Sequence, residues 1–217
     1  MQPTSGERVS SGTSGVVLTL ADALSRMTLR YHLAPQPEFR IMGEAGNGQQ
    51  AIQLVEYTDP DIVLIEMDLP GVNGLEVARA IKRSHPHVSM IVLSSDQDQA
   101  VMLTALRAGV AAFLPRTVSW DDVRQVLHDV RRGEYPITDL VLSTPALAAA
   151  VLDEFRSLRA EEQGDNMYVQ LSPREIDVLE LVAAGRTNNE ITVTLNMSNQ
   201  TLKHHLSSIL RKLAVND

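Results

Sequence analysis

Three capped helical patterns, separated by turns of a few residues, constrain the C-terminal end of this chain more tightly than anything upstream. From Leu171 to Val215 the sequence reads LSPREIDVLELVAAGRTNNEITVTLNMSNQTLKHHLSSILRKLAV. Ser172 and Pro173 open the first helix, a capping residue followed by a proline that is tolerated in the first turn. Ile176, Leu179, Val182 and Ala183 recur at helical spacing, and Gly185 closes the pattern. Asn188 to Leu195 predicts a short second helix with Ile191 and Leu195 inward. Ser198 caps a third, which carries Leu202, Leu206, Ile209, Leu210 and Leu213 on one face. Two short helices, a tight turn and a longer capped helix make a helix-turn-helix, whose recognition element can enter a DNA major groove.

Charge placement agrees with that geometry. Residues 171–217 hold five basic residues (Arg174, Arg186, Lys203, Arg211, Lys212) and five acidic ones (Glu175, Asp177, Glu180, Glu190, Asp217), so the segment is neutral. The third helix, however, carries Lys203, His204, His205, Arg211 and Lys212 with no acid between Asn199 and Val215. Positive charge therefore sits on the element that would approach phosphates. The alternative reading is a neutral three-helix module used for protein contact, with an ordinary solvated basic face.

The stretches LSPRE, VLELVAAG, NNEI, QTLKHHLSSILRKL and the closing AV resemble the LuxR-type helix-turn-helix of NarL/FixJ-type response regulators. The resemblance implies that Lys203 and His204 face bases, with Ser207 one turn further on. It places Asn188, Asn189, Thr201, Arg211 and Lys212 near the phosphate backbone. Lys203 can donate to guanine O6 or N7, and His204 can donate or accept according to its tautomer. Asp217 stands where the resembled family continues into a further helix that pairs subunits.

At 217 residues the chain has room for one large or two small domains. No apolar run approaches the roughly 20 residues of a membrane span, and no secretory signal pattern is present. There is no cysteine, hence neither a disulfide framework nor a thiolate metal site, and the expected compartment is the cytoplasm. The net charge of −8 lies wholly in residues 1–170, which carry 14 basic and 22 acidic side chains, so this part is not expected to bind nucleic acid. The division expected is a disordered tail at 1–15, a domain at 16–133, a helical linker and hinge at 134–170, and the DNA-binding domain at 171–217.

Between Val16 and Arg132 short apolar runs alternate with helical patterns. The predicted strands are Val16–Leu20, Arg40–Glu44, Ile62–Ile65, Ser89–Leu93 and Ala111–Leu114. The predicted helices are Asp22–Leu33, Gly48–Glu56, Gly74–Arg83, Gln97–Ala108 and Ser119–Arg132. Five such units make a doubly wound α/β fold, a five-stranded parallel sheet covered on both faces. Ligands of such sheets bind at the carboxyl ends of the strands. The residues found there are Leu20 to Asp22, Glu66, Ser94 and Arg116.

GEAGNGQQAIQL, PDIVLIEMDLPGVNGLE, IVLSS and ALRAGVAAFLPR resemble the receiver domain of the same family. Such a receiver needs an aspartate at the end of the third strand, an acidic pair after the first to hold Mg²⁺, a Ser or Thr after the fourth and a Lys after the fifth. Phosphoryl transfer depends on metal neutralisation and positioning. Here the acceptor position holds Glu66, the acidic pair falls on Leu20 and Ala21 with Asp22 one residue later, and the lysine position is Arg116; only Ser94 fits. Glutamate carries its carboxylate about 1.5 Å further out, into the volume a phosphoryl group would fill. The resemblance thus implies an atypical, degenerate receiver with no bound metal and no cofactor. Three uses of the pocket remain open: a carboxylate–Arg116 pair that imitates the phosphorylated arrangement, an inert relic, or a site recruited for another ligand or partner.

Other features read more plainly. Asp68, in MDLPG, opens the Pro70-Gly71 turn; His85 and His87 flank Pro86 without a third metal ligand; Trp120, the sole tryptophan, is a buried anchor or an exposed interface residue, the interface being favoured. Ser143-Thr144-Pro145 starts a helix with Leu147, Val151, Leu152, Phe155 and Leu158 on one stripe, followed by the polar run AEEQGDNMYVQ, a hinge. In the resembled family this arrangement lets the receiver restrain or release the DNA-binding domain. The expected function is a non-enzymatic transcription regulator that binds double-stranded DNA as a homodimer, without aspartyl phosphorylation. The alternative is a protein-interaction adaptor whose receiver docks a sensor or regulatory protein and whose DNA affinity is weak.

Overall fold

The computed structural model describes residues 12–160 and 169–216. Most of the expected tail (residues 1–11) and of the expected hinge (161–168) lie outside them. The chain divides into two compact units, the first made of residues up to Ser95 with Ala111–Pro136, the second of Asp96–Val110 with Ile137–Asp217.

The first unit contains one parallel sheet in the order β2-β1-β3-β4-β5, formed by β1 (Ser14–Thr19), β2 (Phe39–Ala45), β3 (Ile62–Glu66), β4 (Ser89–Ser94) and β5 (Ala112–Pro115). Every residue of β1 and β3 is buried, as expected for central strands with both faces covered. The helices of this unit are α1 (Ala23–Leu33), α2 (Gly48–Thr58), α3 (Gly74–Ser84) and α5 (Trp120–Arg131). Val16, Leu18, Leu64, Ile91 and Leu127 lie at the heart of its apolar core. Strand β1 begins at Ser14, inside the expected tail, because the Ser14 N–H donates to the Glu38 carbonyl and the Gly15 N–H to the Asp61 carboxylate at 2.7 Å.

Where β3 ends, the next helix comes very close. A Cβ on Gly74 would lie 2.3 Å from the Glu66 carbonyl oxygen, so only glycine lets α3 start there.

Among its described residues the second unit contains only helices as regular elements, α4 (Gln99–Arg107), α6 (Ile137–Ser143), α7 (Pro145–Ala160), α8 (Pro173–Ala183), α9 (Asn188–Thr194) and α10 (Asn199–Asn216). Helix α6 is not expected from sequence; seven residues carry too little periodicity to distinguish a helix from a loop. The stripe of α7 is buried through Leu147, Val151, Leu152 and Phe155, chiefly against α8 and partly against α4. Ser172 and Glu175 form a reciprocal capping box at the start of α8, and Gly185, at φ +72°, provides the left-handed residue that ends it. Leu202, Leu206, Ile209, Leu210 and Leu213 form the buried face of α10.

Candidate regulatory pocket and nucleic-acid interface

Glu66, the last residue of β3, is 1% exposed at the carboxyl end of the sheet. A buried carboxylate is costly unless its oxygens are satisfied. Here Oε2 accepts the Ala21 N–H at 3.0 Å, and Oε1 pairs with the guanidinium of Arg116, just beyond β5. The Arg116 head is about half exposed, so the pair joins a buried anion to a cation at the rim. Arg26, on α1, donates to the carbonyls of Leu20 and Ala21 and lies 3.7 Å from Glu44. It thereby holds the loop whose N–H meets Glu66. Sequence reasoning misses Arg26, which reads there as an ordinary charge on an amphipathic helix.

Of the pocket residues named from sequence, Glu66 and Arg116 are brought together. Ser94 is buried on β4, its Oγ 3.4 Å from Met67 Sδ. Asp22 serves another purpose: its carboxylate caps α1, accepting from the N–H and the hydroxyl of Ser25, each at 2.7 Å. The Ser25 hydroxyl bond, with the backbone N–H beside it, holds Asp22 below its usual pKa. Asp68 accepts the Ser95 hydroxyl at 2.8 Å in an exposed loop. His87 lies 2.9 Å from Asp59 and His85 Nδ1 2.9 Å from the Ser84 hydroxyl, and no group of three or more metal-ligating side chains occurs among the described residues.

The first unit also has an apolar face. Leu24, Met27 and Tyr31, spaced i, i+3, i+7 on α1, are 65%, 51% and 77% exposed. The His32 and Trp120 rings stack at 5.0 Å, beside a depression of about 510 Å³ lined by Tyr31, Pro35 and Gln36 as well.

In the second unit, Ser198 accepts the Thr201 N–H at 3.0 Å and its hydroxyl lies 2.9 Å from that of Thr201, so Thr201 belongs to the cap of α10. Asn188 and Asn189 are exposed in the first turn of α9, and Arg211 is exposed on α10. Lys203 and His204 are exposed one turn into α10; the Ser207 hydroxyl donates to its own helix at the Lys203 carbonyl, 2.9 Å away. The Lys203 ammonium lies 2.7 Å from a carboxylate oxygen of Asp139 on α6. Lys212 is built into the scaffold: its ammonium donates to Glu175 Oε2 at 2.6 Å and to the Gln170 carbonyl at 3.1 Å. Glu175 is 3% exposed and also accepts from Ser172 N–H and Ser208 Oγ. Burial opposes its ionisation, but the bonds from Lys212, Ser172 and Ser208 prevail and hold its pKa below the ordinary value.

Comparison with known proteins matches two segments of the chain. Residues 21–128 match the response regulator receiver domain, and residues 169–217 match the bacterial regulatory proteins of the luxR family. The nitrate/nitrite response regulator protein NarL of Escherichia coli K12 is 32% identical over 188 residues, 87% of this chain and 83% of that protein. The chain belongs to the NarL/LuxR family of response regulators. This response regulator is also 34% identical over 192 residues to the transcriptional regulatory protein YhcZ of Bacillus subtilis, covering 88% of this chain and 86% of that one. In fold it matches RcsB of Salmonella enterica serovar Typhimurium, solved bound to promoter rprA with the phosphomimetic BeF3−, with a TM-score of 0.54, 20% identity and 95% coverage of both chains. It is a DNA-binding transcriptional regulator. No described helix is long and apolar enough to cross a membrane.

Proposed function

We propose that this response regulator controls transcription without aspartyl phosphorylation, through a receiver whose acceptor position is permanently filled by Glu66. The observation that carries this reading is the Glu66 carboxylate, buried and engaged on both oxygens by Arg116 and the Ala21 N–H. The residues present do not fit the Mg²⁺ on which family receivers depend. Hard cations need several converging oxygens, whereas Asp22 is committed to capping α1 and Glu66 to a guanidinium. Arg116 supplies a fixed positive charge next to the carboxylate. The pair resembles the anion–cation contact of a phosphorylated receiver, with the covalent step omitted.

The active form in this proposal is a homodimer joined through α1 and α5. The exposed Leu24–Met27–Tyr31 stripe of α1 is an apolar face that a copy related by a two-fold axis would cover. The other unpaired candidate, α4, packs against α7 and α10. Recognition helices of the two copies then read half-sites about one helical turn apart. An adaptor would use the same apolar stripe for a different protein, with weak, nonspecific DNA binding.

The test is direct. Incubation with Mg²⁺ and a small phosphodonor is expected to leave the mass, oligomeric state and DNA affinity unchanged, and Glu66→Asp is not expected to restore phosphorylation. Glu66→Ala is expected to lower dimer content and DNA affinity together; no effect would make the pocket inert. Tyr31→Glu is expected to yield monomers. Stoichiometric phosphate mapped to Glu66 or Asp68 would overturn the proposal.

A further inference from the structure

We infer that Gln200 is a base-reading residue of this regulator, selecting an adenine beside the base met by Lys203. The inference rests on the DNA-binding reading of α10 and adds a specificity determinant to it. On an α-helix, residues at i, i+3, i+4, i+7 and i+11 share one stripe. Starting from Gln200 this series contains Lys203, His204, Ser207 and Arg211. Gln200 is thus the first member of the stripe that carries the expected DNA contacts, and it lies clear of the buried Leu202–Leu206–Ile209–Leu213 face. Thr201, one residue later, is turned into the N-cap by its contact with Ser198. It is the N-terminal part of a recognition helix that meets base edges.

Chemistry narrows the reader further. Ser207 is short and its hydroxyl is spent on the Lys203 carbonyl. Base discrimination therefore falls to the start of the stripe, at Gln200, Lys203 and His204. Gln200 is exposed and its side chain makes no hydrogen bond with the described residues, so its amide needs no rearrangement to engage a base. Gln Nε2 donates to adenine N7 while Oε1 accepts from adenine N6, a two-bond match that no other base offers in the major groove. The opening of the stripe thus predicts an adenine contact next to a guanine contact from Lys203.

The experiment selects preferred sites for the full-length chain from a pool of random-sequence duplexes, then measures affinity for the selected site and for each single-base variant of it. Wild type is expected to favour one adenine that Gln200→Ala no longer distinguishes, with discrimination there falling about ten-fold while that at other positions is retained. Gln200→Glu, which keeps the acceptor and loses the donor, is expected to move the preference at that position from adenine to cytosine, whose N4 amine donates. Unchanged thermal melting of both variants excludes a fold defect. If wild type selects a site and Gln200→Ala keeps the whole preference profile, this inference falls and the DNA-binding reading stands. If wild type selects no site, both fall.

Discussion

Among the described residues, each unit buries one glutamate near the end of an element, and the two are held in opposite ways. Glu175 in the second unit is held by a lysine, a hydroxyl and the N–H of its own capping box, all from residues that also form the helical scaffold. Glu66 in the first unit has one N–H from a loop and one guanidinium from the rim of the crevice. The first arrangement closes a small domain. The second keeps a charge at the place where this fold exposes its chemistry. Burial of an acid therefore says little by itself; the partners, and where their other ends are anchored, separate a strut from a rim contact.

That contrast can be broken by removing the cations. Lys212→Met is expected to leave Glu175 buried and uncompensated and to cost about 3 kcal/mol, seen as a lower melting temperature of the second unit. The same variant is expected to leave the DNA salt slope nearly unchanged, since the ammonium is engaged within the domain. Arg116→Met is expected to cost less, about 2 kcal/mol, because water can reach the vacated rim while Ala21 still donates. Equal losses, or a larger one at Arg116, would contradict the distinction between strut and rim contact.

Acid sharpens it. Since the folded pKa of Glu175 lies below the unfolded one, its stabilisation is fully present above the ordinary glutamate range and is lost as pH falls through the folded value. Wild type is expected to lose melting temperature over that acidic window, and Glu175→Gln to show a shallower decline. A parallel decline for the two proteins would remove Glu175 from the account. The smallest effect concerns the exposed Lys203–Asp139 pair. Asp139→Ala is expected to tighten DNA binding by no more than about five-fold, because such pairs are worth at most about 1 kcal/mol; titration at fixed salt measures it.

Short-range chemistry makes much of the fold legible in the amino-acid sequence. The five strands, the longer helices, the caps at Ser172 and Ser198 and the stripe of α10 follow from periodicity and capping, which act over a few residues. The pairing of Glu66 with Arg116 is only one of three uses of the pocket that the sequence leaves open, because two residues fifty positions apart meet only through the strand order. Asp22 reads in sequence as a pocket acid, yet it caps its own helix, since a carboxylate just ahead of a helix satisfies N–H groups wherever that helix stands.

What the sequence alone determined was the class of each segment: an alternating α/β unit with a substituted acceptor position, then a capped helix-turn-helix with its positive charge on the recognition helix. The tertiary structure alone decided which charges remain available. Lys212 and Lys203 look alike in sequence, yet one is tied to a buried carboxylate and the other to an exposed one. Arg26 acquires its role only because α1 brings it over the carbonyls that follow β1. Local pattern sets secondary structure through short-range geometry. The partners of a charge are set by long-range packing, which no window of sequence contains.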